Sequence, residues 1–198
     1  MTGISIDSLI LKILAVLFVA ACCVGVASWL LAVLEGIGVL RLQDWVFRIG
    51  PVATVYQTGV ACPVGLSVVS AAETADIKYR VLEGHRCLFR RKFTLFEFRW
   101  NTPLELKGVI SWTDGTLTTS ARYLLGVTLF FLAWLTGWTI GGIMFVIKGQ
   151  LMGLTFVALG WLVGLGMMAH SRSLELKRFS KYAAEVQAAL GESSPTKF

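Results

Sequence analysis

Residues 123–169 read YLLGVTLFFLAWLTGWTIGGIMFVIKGQLMGLTFVALGWLVGLGMMA, and Lys148 is the only charged residue among them. The two charge-free runs it separates, Tyr123 to Ile147 and Gly149 to Ala169, each exceed the roughly 18 residues that distinguish a spanning helix from a buried core helix. At about 1.5 Å per residue either run crosses a hydrocarbon core of about 30 Å. The short link around Lys148-Gly149-Gln150 makes the pair a helical hairpin. A third charge-free run, Ile13 to Leu34, lies near the N-terminus.

The remaining composition agrees. Of 198 residues, 56% are hydrophobic and 15% charged, against about 25% charged in an ordinary soluble domain. The first run is preceded only by Asp7 and Lys12. It is longer than the usual 7–15 apolar residues of a signal peptide and lacks a small-x-small site behind it, so it reads as an uncleaved anchor.

The sequence therefore predicts an α+β membrane protein with three transmembrane helices and a small antiparallel β-domain inserted between helices 1 and 2. A C-terminal amphipathic helix follows. The expected divisions are an anchor over 1–34, a juxtamembrane β-rich domain over 35–122, the hairpin over 123–169, and the amphipathic helix with a flexible tail over 170–198. Trp45, Phe47 and Arg48 are residue types that settle at headgroup level. Beyond Gly50-Pro51, alternation marks strands at Ile77–Leu82, Cys87–Phe93, Leu95–Trp100, Lys107–Trp112 and Leu117–Ala121. Asp114-Gly115 has the chemistry of a type I′ hairpin turn. The last strand ends so close to Tyr123 that the sheet must sit against the membrane surface.

Three residue patterns bear on function. Ala133, Gly137 and Gly141 recur at spacing four, as do Gly149 with Gly153 and Gly160 with Gly164. Such stripes let helices approach closely in lipid, either within the hairpin or with a partner's helix. Arg86, Arg90, Arg91, Lys92 and Arg99 fall within fourteen residues among aromatic ones. They read as a solvated strand face, a contact for anionic lipid, or a contact for an acidic partner. Leu176, Phe179, Ala183, Val186 and Leu190 form an apolar seam at helical spacing, able to lie on the membrane, the β-domain or a partner.

Orientation follows from charge. The central segment and the tail share one side and hold most of the basic residues, including Arg41, Arg48, Arg122, Arg172 and Lys177, while Lys12 and Lys148 mark the other. The positive-inside rule puts the N-terminus outside and the β-domain and C-terminus in the cytoplasm, in a plasma membrane of bacterial inner-membrane type.

Catalytic signatures are lacking. Four cysteines form no CxxC, and the adjacent Cys22 and Cys23 read as packing residues. His85 and His170 read as ordinary surface residues. No GxSxG, HExxH, Walker A or GxGxxG pattern occurs. The charge-free runs argue against charge-coupled transport, which keeps ionisable residues in the membrane. No cofactor and no nucleic acid are expected. The function expected is a non-catalytic accessory, assembly or scaffold subunit of a membrane complex, with other integral subunits, a second copy, or membrane lipid as partners. A membrane-surface module that binds anionic lipid or recruits a soluble partner is the alternative, and a small membrane enzyme the third.

Overall fold

The computed structural model describes residues 6–58, 72–74, 76–83, 85–92, 105–113 and 116–192. Three helices are long and apolar enough to cross a membrane. The first, α1, runs Ile6–Leu40. It continues past the charge-free run, so Glu35 belongs to the helix and not to the segment after it. Bonds from Gln43 N to Gly38 O (2.9 Å) and from Leu42 N to Val39 O (3.1 Å) end α1 in a Schellman arrangement. Its left-handed residue is Leu42, φ 51°, where glycine is usual. The Leu42 side chain is almost fully buried, and that packing holds the strained backbone in place.

The chain then turns into a short helix, α2 (Asp44–Arg48). Val46 and Phe47 of α2 are buried, whereas Trp45 is 48% exposed. Of the residues expected at headgroup level, Phe47 is thus a core residue.

Six strands follow: β1 (Val52–Thr58), β2 (Ala72–Glu73), β3 (Ile77–Leu82), β4 (Arg86–Arg91), β5 (Leu106–Thr113) and β6 (Thr116–Tyr123). They form one antiparallel sheet in the order β1-β6-β5-β4-β3-β2. Thr113 pairs with Thr116, so a two-residue connection joins β5 to β6. Asp114 and Gly115 lie outside the described residues, as do the expected strand at Leu95–Trp100, Arg99, Cys62 and the tail beyond Glu192.

Each face of the sheet carries a separate core. Ile77, Tyr79, Val81, Cys87, Phe89 and Ile110 point to one side, with Phe179, Ala183, Val186 and Leu190 packed over them. Leu88 and Val109 point to the other, against Val39, Leu42, Val46 and Phe47. Alternation along the strands separates the two sets. Phe89 lies across Gly108, its register partner on β5, and stacks on Phe179 with centroids 5.3 Å apart.

The second membrane helix, α3 (Leu125–Ile147), is separated from the end of β6 by one residue, Leu124. The third, α4 (Met152–Glu192), is continuous for 41 residues. The sequence suggested a division near His170, but composition changes there while the backbone stays helical. At about 1.5 Å per residue α4 is about 60 Å long, twice the hydrocarbon thickness. Its first half packs on α3, and its second half carries the Leu176–Leu190 seam onto the sheet. The sheet is therefore the middle layer between the α4 extension and the end of α1 with α2.

Candidate functional site

Within the membrane helices, α3 is central and packs on both α1 and α4. The α3–α4 contact is made by glycines. A Cβ on Gly153 would overlap Gly142 O, and one on Gly160 would lie 2.6 Å from Trp138 Cδ2. On Gly164 it would lie 2.7 Å from Trp134 Cζ3. Gly160 and Gly164 are thus seats for two tryptophan rings of α3. Trp161 donates its indole N–H to Thr139 Oγ1 at 2.9 Å, which satisfies the one polar atom of that side chain inside the hairpin.

The α1–α3 contact is tight at one end only. A Cβ on Gly126 would overlap the backbone nitrogen of Ala32 and lie 2.8 Å from Ser28 O. Further along, a Cβ on Gly25 would meet Ala133 Cβ at an ordinary 3.9 Å, and Phe18 lies 4.0 Å from the Cβ position of Gly137. The looser end opens into a groove of about 680 Å³. Ala21, Cys22 and Gly25 line one wall, and Ala133, Gly137 and Gly141 the other. Trp138 and Phe156, stacked with centroids 4.0 Å apart, close it toward α4. The lining is apolar almost throughout.

The stripes expected to pack helices therefore divide. Gly153, Gly160 and Gly164 are filled by α3 side chains and backbone, Ala133, Gly137 and Gly141 line the groove, and Gly149 packs on nothing. Gly149 sits in the α3–α4 turn at φ +75° with no atom within 4 Å of its Cβ position. The spacing of four did not reveal Gly142, which lies outside the stripes but makes the close contact with Gly153 and Val157.

Below the tight end lies a charged junction. Glu35 and Lys107 are fully buried and 3.2 Å apart. Glu35 also accepts hydrogen bonds from Leu125 N (3.1 Å) and Gly126 N (2.6 Å). These are the first two N–H groups of α3, which no residue of α3 itself can satisfy. A carboxylate there meets the positive end of the helix dipole. Lys107 donates a second bond to Val46 O at 2.6 Å. Burial pulls its pKa below the ordinary lysine value, and the Glu35 charge partly restores it.

A mirror arrangement closes α1. Arg90 donates to Leu40 O at 3.1 Å and to Arg91 O at 2.7 Å, placing a cation at the negative end of that helix. Arg86 pairs with Asp44 of α2 at 3.0 Å, and Lys92 with Glu73 at 3.2 Å. Of the basic residues singled out, Arg86 and Arg90 of β4 thus have partners that tie α2 and α1 to the sheet, and Lys92, just past β4, pairs with Glu73 of the edge strand β2. The seam residues Leu176, Phe179, Ala183, Val186 and Leu190 lie on the sheet.

Together the fold and groove define a membrane-embedded α+β protein, with three candidate spanning helices and a six-stranded sheet docked at their ends. No protein-family model, curated protein or solved structure matches the chain.

Proposed function

We propose that this chain is a non-catalytic accessory or scaffold subunit of a larger membrane complex, and that its intramembrane groove receives a transmembrane helix of a partner subunit. One observation carries the reading. Gly153, Gly160 and Gly164 of α4 are already used against α3, whereas Gly25, Ala133, Gly137 and Gly141 line an open groove of about 680 Å³. Small residues on two facing helices let the backbone of a third approach closely, and close approach drives helix association in lipid. The third helix can come from a second copy or from a different protein.

The proposed setting is a plasma membrane of bacterial inner-membrane type, and the charge distribution supports an orientation with the N-terminus outside and the sheet and C-terminus cytoplasmic. The test is gentle detergent extraction followed by identification of co-migrating proteins. Wild type should carry a membrane-protein partner or a second copy. Gly137→Leu with Gly141→Leu, which fills the groove, should migrate alone while keeping its thermal stability. A wild-type chain that runs alone as a monomer contradicts the proposal.

A further inference from the structure

We propose that the outer surface of α2 and the bend before it, carrying Arg41, Trp45 and Arg48, is a docking surface for the anionic headgroups of the adjacent lipid leaflet. Depth is the first argument. Glu35 bonds the first two amides of α3, so residue 35 of α1 and the start of α3 lie at one level. Leu40 is five residues further, about 7.5 Å along the helix, and the headgroup layer adds roughly 5–7.5 Å to each side of the hydrocarbon. The far end of the segment is tied to the same level, because Tyr123 N donates to Pro51 O at 3.0 Å and Arg122 Nη1 to Gly50 O at 2.9 Å.

Continuity is the second argument. The exposed apolar surface of α1 runs through Leu34 (59%), Ile37 (44%) and Leu40 (45%) to Trp45. The Trp45 ring folds back on α1, its Cζ2 3.5 Å from the Cβ position of Gly38. Its indole N–H is satisfied by Gln43 Oε1 at 2.9 Å, so the ring can enter the apolar edge of the interface without an unmet donor. The opposite side of α2, through Val46 and Phe47, is buried under the sheet, which leaves one outward side.

Charge is the third. Arg41 and the Arg48 side chain are exposed. Asp44, the one acid of the segment, lies between Arg48 and Arg86 and is neutralised by them. The surface is net positive beside a leaflet whose anionic lipids favour each cation by roughly fivefold. By contrast, Arg90 of β4 spends its hydrogen bonds inside the fold, on Leu40 O and Arg91 O.

The experiment uses the full chain reconstituted in phosphatidylcholine vesicles with spin-labelled phosphatidylglycerol or phosphatidylcholine as reporter. Wild type should hold phosphatidylglycerol in its slow-moving lipid shell several-fold over phosphatidylcholine. Arg41→Gln with Arg48→Gln should lose that preference, and Arg41→Lys with Arg48→Lys should keep it. A spin label at Trp45→Cys, in a background with the native cysteines changed to serine, should be shielded from a water-soluble nickel chelate relative to one at Gln57→Cys on β1. Unchanged phosphatidylglycerol preference in the glutamine variant, or equal nickel access at the two positions, overturns the proposal.

Discussion

The Glu35 carboxylate and the Lys107 ammonium, 72 residues apart in sequence, form a buried pair 3.2 Å across that joins a membrane helix to β5, one of the two middle strands of the sheet. Because Glu35 also holds the first turn of α3 and Lys107 also holds Val46 O, four elements meet at one ion pair. Lys107→Met should leave a buried carboxylate without its counter-charge and lower stability by about 3–5 kcal/mol. Adding Glu35→Gln, which removes the charge and keeps an acceptor oxygen for one of the two α3 amides, should recover part of the loss. Thermal unfolding of the purified single and double variants measures this, and a double variant no more stable than Lys107→Met would show that the charge pairing is not the source.

Two glycines in α3 should respond in opposite ways. Gly126→Ala pushes a methyl group into the backbone of α1 and should lower the unfolding midpoint by several degrees, as overpacking costs about 1–3 kcal/mol. Gly137→Ala adds the same methyl group where the nearest atom is Phe18 Cε2 at 4.0 Å, and the midpoint should hold. Equal effects at both positions would mean that α1 and α3 do not diverge.

Cysteine reactivity gives a third prediction. Burial raises the Cys87 thiol to about 12, so at neutral pH almost none of it is thiolate. A membrane-permeant maleimide should leave Cys87 unlabelled in the folded protein and label it after denaturation in detergent. Mass spectrometry of the labelled peptides reads the result directly.

The edge of the sheet should be acid-sensitive. Hydrogen bonds from Lys78 and then Lys92 hold the Glu73 carboxyl below its ordinary 4.5. A depressed carboxyl pKa stabilises the fold above the unfolded value, and that contribution is lost as pH falls through the folded one. Protection of the β2 amides, Ala72 and Glu73, should therefore weaken as pH drops below 4.5, while β5 amides hold. Glu73→Gln should remove the pH dependence.

The α4 extension should behave as part of the β-domain core. Phe179→Ala removes the ring that covers Phe89 and should cost about 3–5 kcal/mol. Ser180→Ala, on the exposed side of the same turn, should cost little. Comparing the two unfolding midpoints separates loss of the seam from a general effect on the helix.

Much of this architecture is written in residue spacing. The charge-free runs locate the three candidate spanning helices, alternation at Ile77–Leu82 locates a strand, and the Leu176–Leu190 periodicity marks a packed face. The junction is not visible this way. Glu35 sits one position past an apolar run and therefore looks like its boundary, and nothing local ties it to Lys107. The continuity of α4 was hidden because a change from apolar to charged residues near His170 suggests an end, although no proline or glycine breaks the backbone between His170 and Leu190. The basic residues of β4 were visible as a cluster. Their use as a cap for α1 and a tie to α2 depends on which strand face meets the end of α1, and that is set by register.

The groove is the centre of the functional account, and photo-crosslinking inside intact native membranes tests it most directly. Phe18 lies 3.7 Å from the Cβ position of Gly141 and lines the groove, so Phe18→p-benzoylphenylalanine extends a photoreactive ketone from that wall into the groove. The account predicts one discrete crosslinked protein species, with the crosslink mapping to an apolar helical segment of the partner and disappearing when Gly137→Leu and Gly141→Leu fill the groove. Adducts to lipid alone, with no crosslinked protein, would contradict it.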